Sequence, residues 1–269
     1  MAGLTIARHT VAVTWAIAFL AGLVISIVTT PVGVSGAVFL LPVQLSVLDV
    51  PNPAVTPTNL LFNVVSGPGA LLRYRRRGSL ASPLTRLLLL GTLPGVLAGA
   101  VIRVFAVPGP GVFRLVVAVL LLPLGLWLAL RVPPPADRPG AGRMPRRGII
   151  ALALGVGTIG GIYGIGGGSI LGPILVGRGM PVAIVAPAAL ASTFVTSAAG
   201  AAAFALLGLT GRGDIAPDWG IGLVCGAGGL IGGYLGAHLQ PRLPERGLRV
   251  VLGSLAVAVA IMYAAQVRW

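Results

Sequence analysis

Uninterrupted apolar stretches alternate along this chain with short turns that carry most of its arginines. The apolar stretches fall at 11–31, 54–72, 84–107, 112–130, 148–163, 182–208, 217–239 and 247–266. A bilayer crossing takes ~20 apolar residues, so the pattern predicts an all-α polytopic membrane protein with about eight transmembrane helices. Two more apolar pieces, 37–48 and 168–177, are too short to cross, and each follows a glycine-bearing interruption. They read as the second pieces of discontinuous helices, finishing the crossings that 11–31 and 148–163 begin.

The two interruptions align. The segment ending in Pro42 pairs with the one ending in Pro173, setting Gly33 opposite Gly164 and Gly36 opposite Gly167. Further on, Pro51 pairs with Pro181, Pro57 with Pro187, and Gly95–Ala100 with Gly232–Ala237. The alignment implies two four-helix repeats, each with a glycine-broken first helix, over residues 1–131 and 148–269. A Pro/Gly/Arg-rich cytoplasmic linker at 132–147 joins them. Four crossings on each side of the linker give both halves one orientation, so the expectation is of parallel repeats with the pathway along their seam.

Glycine in a helix interior costs ~1 kcal/mol against alanine, so three glycines followed by Pro173 should open the backbone. In hydrocarbon an opened backbone needs partners. The N–H groups of Gly164, Gly166, Gly167, Gly168 and Ser169 make an anion-binding nest with the positive end of the next helix behind it. Gly33 and Gly36 are the first-half counterparts. The rival reading of these glycines is close helix packing. Side chains able to donate to sulfonate or carboxylate oxygens are Asn59, Asn63 and Ser66 in one span and Ser192, Thr193, Thr196 and Ser197 in another, with interhelical hydrogen bonding as the alternative. The candidate substrate site is therefore Gly33, Gly36, Asn59, Asn63, Gly164, Gly166, Gly167, Gly168, Ser169, Pro173, Ser192 and Thr193.

Several motifs in order give the chain a resemblance to the TauE/SafE family of sulfite exporters and sulfonate permeases: the glycine-rich break ending in Pro173, Ala188–Thr193, Gly232–Ala237, Pro57–Asn63, and Arg73–Gly78. The resemblance implies a membrane carrier for a small sulfur-containing anion such as sulfite, thiosulfate or sulfoacetate, for export or uptake. The first half departs from the family pattern, with Pro-Val-Gly-Val-Ser-Gly where the family has a glycine cluster.

Composition agrees with a membrane chain. Hydrophobic residues make up 56% and charged ones 9%, with mean hydropathy +1.00; a soluble domain is about a quarter charged. The net charge of +14 comes from arginine without lysine, and points to cytoplasmic loops against anionic lipid of a bacterial plasma membrane. Basic patches interleaved with aromatics are missing, so nucleic acid is not an expected partner. With the N-terminus inside, Arg103, Arg114, Arg178, Arg242, Arg246 and Arg249 fall outside and all other arginines inside. The cluster at 242–249 is the weak point of that arrangement. The N-terminal apolar run continues too far for a cleaved signal, so it reads as a first transmembrane helix.

The five acids, Asp49, Asp137, Asp214, Asp218 and Glu245, sit in loops or at helix ends, which argues against a carboxylate proton relay in the membrane. His238 near a helix end is a candidate proton carrier or a structural hydrogen bonder. Cys225 reads as a packing thiol. No metal-ligand set and no cofactor are expected. The rival classes are a structural membrane scaffold and an intramembrane hydrolase using Ser169 or Ser192 with His238. Expected partners are the small anion, membrane lipid and, as an open alternative, a second copy of the chain.

Overall fold

The computed structural model describes residues 2–80, 82–106, 144–178, 180–209 and 215–266, plus scattered helical positions between 115 and 130. The segment at 112–130 and the linker thus lie largely outside the described residues, as do Asp137 and Asp214. Nine helices are described: α1 (Ala2–Thr29), α2 (Ala37–Ser46), α3 (Asn52–Arg76), α4 (Pro83–Phe105), α5 (Arg146–Tyr163), α6 (Gly168–Gly177), α7 (Val182–Gly208), α8 (Trp219–Leu239) and α9 (Glu245–Gln266). Among the described residues four stretches are long and apolar enough to cross a membrane: Val11–Val32, Pro83–Phe105, Val182–Gly208 and Trp219–Arg242. α3 has the length, but Thr56, Thr58, Asn59, Asn63 and Ser66 lower its apolarity, and all five are buried inside the protein.

Both interruptions are built alike. α1 ends in a 3-10 turn, Thr30–Val32, capped by Gly33 at φ +78°. α5 is capped by Gly164 at φ +69°, a left-handed conformation that glycine adopts without steric cost. Gly36 and Gly167 sit at the N-caps of α2 and α6, and Pro51 and Pro181 at those of α3 and α7. Each proline N-cap suits an extended backbone just before a helix.

Beyond each break the path differs from expectation, because the chain turns back. A β-carbon at Gly36 would meet Ser26 Oγ at 3.0 Å and Ile25 Cγ2 at 3.3 Å, so the start of α2 lies beside α1 rather than beyond it. In the same way Gly160 of α5 faces the Gly166 carbonyl. Helix directions agree. Gly228, Gly232 and Gly236 of α8 abut Phe19, Leu23 and Ile27 of α1, and Gly222, Gly226 and Gly233 of the same helix abut Leu61, Val65 and Ala70 of α3. Both α1 and α3 therefore run parallel to α8, and residues 30–51 must return the chain to the end where α1 began. By the same test α5 and α7 run parallel to α4: Gly91, Gly95 and Gly99 abut Ile150, Leu154 and Thr158, while Thr92 meets Ser192 and Val96 meets Gly200. α3 and α7 cross antiparallel, with Leu60, Asn63 and Gly67 against Gly200, Ser197 and Phe194.

The expectation that 37–48 and 168–177 complete a crossing is thus overturned: they are return limbs. The first helix of the second half runs opposite to that of the first, whereas parallel repeats would set the two in one direction. Contacts between the halves are reciprocal, α1 packing on α8 and α5 on α4. The backbones approach closely: a β-carbon at Gly22 would collide with the Cys225 carbonyl, and one at Gly99 with that of Thr158. Small residues at a helix contact permit this approach.

Arginine placement becomes simpler on the observed path. Arg73, Arg75, Arg76, Arg77, Arg86, Arg146, Arg147, Arg178, Arg242, Arg246 and Arg249 all gather at the end where α3, α6 and α8 finish and α4, α5, α7 and α9 begin. Among described arginines only Arg8 and Arg103 belong to the opposite end.

Candidate functional site

The crossing of α3 and α7 sits between the two interruptions, and there the buried hydroxyl and amide groups converge. Ser35, in the turn before α2, donates to Asn63 Oδ1, and its Oγ accepts from the Ala37 N–H at 3.2 Å. Asn63 Nδ2 in turn donates to Ser197 Oγ at 3.0 Å and reaches the Gly164 carbonyl at 3.5 Å. One amide therefore links both interruptions to α7. Asn59 Nδ2 donates to the Ala37 carbonyl at 2.9 Å, holding the return limb to α3. On the other side Gly167 N–H donates to Thr196 Oγ1 at 3.0 Å, Ser169 Oγ donates to the Ile165 carbonyl at 2.6 Å and lies 3.3 Å from Thr193 Oγ1, and Thr92 Oγ1 pairs with Ser192 Oγ at 2.9 Å.

A cavity of about 20 Å³ is bordered by Ser26, Ser35, Gly36, Asn63, Ser66 and Thr193. That is room for roughly one water. Of the residues expected from sequence, Gly36, Asn63, Ser66 and Thr193 border it. Gly33, Gly164, Gly166, Gly167, Gly168, Ser169, Pro173, Asn59 and Ser192 lie around it in packed surroundings. The glycines of the second half face neighbouring helices: a β-carbon at Gly168 would collide with the Ala189 carbonyl, one at Gly167 with Thr92, one at Gly164 with the Thr56 carbonyl, and one at Gly166 would lie 2.7 Å from Thr193 Cγ2. Gly33 likewise faces Ala186 Cα at 2.6 Å. Their immediate role is close approach, and the Gly167 N–H is already taken by Thr196.

Sequence reasoning missed Ser35, Ser26, Thr92 and Arg103. Ser35 stood inside the first-half motif, and its hydroxyl was the visible signal. Arg103, at the end of the apolar stretch 84–107 and expected on the outside, is 4% exposed. Its Nε donates to Thr56 Oγ1 at 3.2 Å, and Nη2 donates to the Asn52 carbonyl at 3.1 Å and to Asn52 Oδ1 at 3.0 Å. Thr56 Oγ1 donates onward to the Ile162 carbonyl at 3.3 Å, at the end of α5. Arg103 thus ties α4, α3 and α5 together at the arginine-poor end. Hydrogen bonds to a charged group contribute ~1.5–3 kcal/mol each. Arg103→Ala should therefore lower thermal stability in detergent strongly, and Arg103→Lys, which keeps charge but not the planar fork, should recover part of it. A wild-type melting temperature for the alanine variant would contradict this bridging role.

Three buried amide atoms at the first return limb, two on Gln44 and one on Asn59 of the facing α3, lack hydrogen-bond partners. Gln44 on α2 is wholly buried with neither Oε1 nor Nε2 bonded, and Asn59 Oδ1 is likewise unpaired. Burying such a group costs ~1–3 kcal/mol, a cost that Gln44 places on α2. Among the described residues no cluster of histidine, cysteine or acid side chains is able to hold a metal. Asp49 is exposed just after α2, and Asp218 caps α8 by accepting from the Ile221 N–H at 2.9 Å.

Apolar helices long enough to cross a bilayer, meeting through glycine contacts with two interrupted helices folded back beside a buried polar cavity, are the architecture of a membrane protein. The family is fixed by the sequence: residues 18–263 match the family Sulfite exporter TauE/SafE, and the chain belongs to it. Membership implies a membrane permease for sulfur-containing anions. No curated protein and no solved structure matches the chain.

Proposed function

We propose that the chain is a secondary permease that passes a small sulfur oxyanion, such as sulfite, thiosulfate or an organosulfonate, through the crossing of α2, α3 and α7. The observation that carries this reading is the polar cavity at the first break, where Ser35, Asn63 and Thr193 offer hydroxyl and amide groups. Neutral donors suit an oxyanion that must also leave, since they stabilise charge without adding a buried counter-charge. At about 20 Å³ the cavity is smaller than such an anion, so α2, with its unpaired Gln44, must shift for substrate to enter. Purified protein in liposomes should carry sulfite or a sulfonate down a gradient and leave phosphate behind. Absence of flux for every sulfur anion, with the protein folded, would favour a membrane scaffold instead.

The two halves are further read as inverted repeats with the arginine-rich end in the cytoplasm. Both chain ends of the helical core, the start of α1 and the end of α9, then lie outside. In a Cys225→Ala background, Pro51→Cys should react with an impermeant thiol reagent added outside, whereas Arg76→Cys and Arg178→Cys should not. Position 178 discriminates, because a completed crossing by 168–177 would place it outside. Outside labelling there would restore the parallel arrangement.

A further inference from the structure

We propose that a second cavity, beneath the first interruption, is the cytoplasmic vestibule of the transport path: it gathers small oxyanions through Arg77, and Tyr74 closes it off from the central cavity. This rests on the permease reading above, and adds an entry site and a closing contact to it.

The cavity measures about 320 Å³ and is lined by Pro31, Val32, Tyr74, Arg77, Ser79 and Gln240, among others. That is within the range of small-ligand sites, ~300–1,000 Å³, and far larger than the central cavity. The two are one residue apart along the chain: Thr30 borders the central cavity and Pro31 the lower one. Tyr74, 1% exposed, stands at that boundary, its hydroxyl reaching the Thr30 carbonyl at 3.5 Å, the outer limit of a hydrogen bond. Gln240 Nε2 holds the Pro31 carbonyl from below at 2.7 Å. The closure consists of one weak polar contact and one good one, both on the end of α1, so a modest shift of that end joins the cavities.

The charge at the mouth has the sign a substrate anion needs. Arg73, Arg75 and Arg76 occupy the last turn of α3, and Arg242 lies against His238 Nε2 at 3.2 Å. Glu245 opens α9 at the same end. Arg77 spends two N–H donors on the carbonyls of Ala237 and His238, at 3.1 and 3.3 Å, at the end of α8. A guanidinium has five N–H donors, so the rest serve an oxyanion while the carbonyls fix the group in place. Arg77 supplies the charge of an otherwise uncharged lining, and a low-dielectric cleft whose charge is of one sign raises the local concentration of counter-ions by ~10-fold or more.

The test uses full-length protein in oriented vesicles with Cys225→Ala as background. Ser79→Cys reports on the vestibule and Ser35→Cys on the central cavity. The probes are a methanethiosulfonate carrying a sulfonate and one carrying a quaternary ammonium. In inside-out vesicles Ser79→Cys should react about 10-fold faster with the sulfonate reagent, and Arg77→Gln should remove most of that preference. Ser35→Cys should react slowly from the cytoplasmic side, and at least ~10-fold faster when Tyr74→Ala is added. Tyr74→Phe, which keeps the packing and removes only the hydroxyl contact, should give a smaller increase and guards against an alanine variant that misfolds. Reaction of Ser79→Cys only in right-side-out vesicles would overturn the cytoplasmic vestibule. A preference unchanged by Arg77→Gln would overturn anion gathering, and a Ser35→Cys rate indifferent to both Tyr74 changes would overturn the closure. Loss of the permease reading shows itself separately, as absent flux with these labelling patterns intact.

Discussion

Valine at Gly168 should leave no folded protein, and even alanine there should be severely destabilising, whereas Gly155→Ala should be harmless or slightly stabilising. A β-carbon at Gly168 collides with the backbone carbonyl of Ala189 and would stand 2.8 Å from Thr193 Oγ1. A side-chain tip would rotate away, but a carbonyl inside α7 moves only with its helix. Overpacking a core commonly costs ~1–3 kcal/mol, and separating two helices also breaks the hydrogen bonds of Gly167 and Ser169 nearby. Gly155 has nothing within 4 Å of its would-be β-carbon, so Gly155→Ala should return up to ~1 kcal/mol of helix propensity. Thermal unfolding in detergent reads both. A wild-type melting temperature for Gly168→Ala would mean that α6 and α7 do not meet as closely as described.

Asn63→Asp should abolish anion transport while leaving the protein folded. The substitution is nearly isosteric and keeps an acceptor for Ser35, but it withdraws the donor shared by Ser197 and Gly164 and sets a carboxylate in the cavity. Two like charges a few ångströms apart repel by several kcal/mol at the effective dielectric of a protein, ~4 kcal/mol at 4 Å, enough to cut affinity more than a hundredfold. Gly36→Ala should act by volume: its β-carbon would meet side-chain atoms of Ser26, Phe62 and Ile25 at 3.0 to 3.3 Å, with no backbone atom among the three nearest, so small side-chain shifts keep the fold while the cavity closes. Ser169→Ala should change affinity little, because its hydroxyl is bonded to the Ile165 carbonyl. Calorimetric titration with sulfite and a sulfonate separates the three. Unchanged binding in both Asn63→Asp and Gly36→Ala would move the site away from the first interruption.

Helix boundaries and breaks were legible in the sequence because their causes are local. A left-handed cap at Gly33 or Gly164 needs glycine, and a proline N-cap at Pro51 or Pro181 announces a helix start, so both can be read from a few neighbouring residues. Direction after the break was not legible. Ten apolar residues look the same whether they continue a crossing or return from it, and the distinguishing contacts, Gly36 with Ser26 or Gly160 with Gly166, are matters of space. One trace did reach the sequence: Arg242, Arg246 and Arg249 sat on the wrong side under the parallel arrangement, and that conflict disappears with the return limbs. The lining of the central cavity was half legible. Asn63 and Thr193 stood out as polar groups in apolar runs, while the glycines read as an anion nest because nothing local shows what a β-carbon would strike on a helix elsewhere in the chain. Arg103 was hidden by its place in the last turn of α4, where an arginine ordinarily reaches the interface.

The reciprocal packing of α1 on α8 and α5 on α4 has a consequence for how the protein is made. The glycine face of α8 that receives Phe19, Leu23 and Ile27 begins at Trp219, and at ~5–20 residues per second of synthesis it emerges roughly ten seconds or more after α1. Through that interval the first helix sits in the bilayer without its partner, its buried Ser26, Thr29 and Thr30 facing lipid or an insertion factor. Nascent first halves should therefore be the species that membrane quality control encounters. A chain split within the linker should accumulate only when both pieces are made together, because each supplies the surface that closes the other.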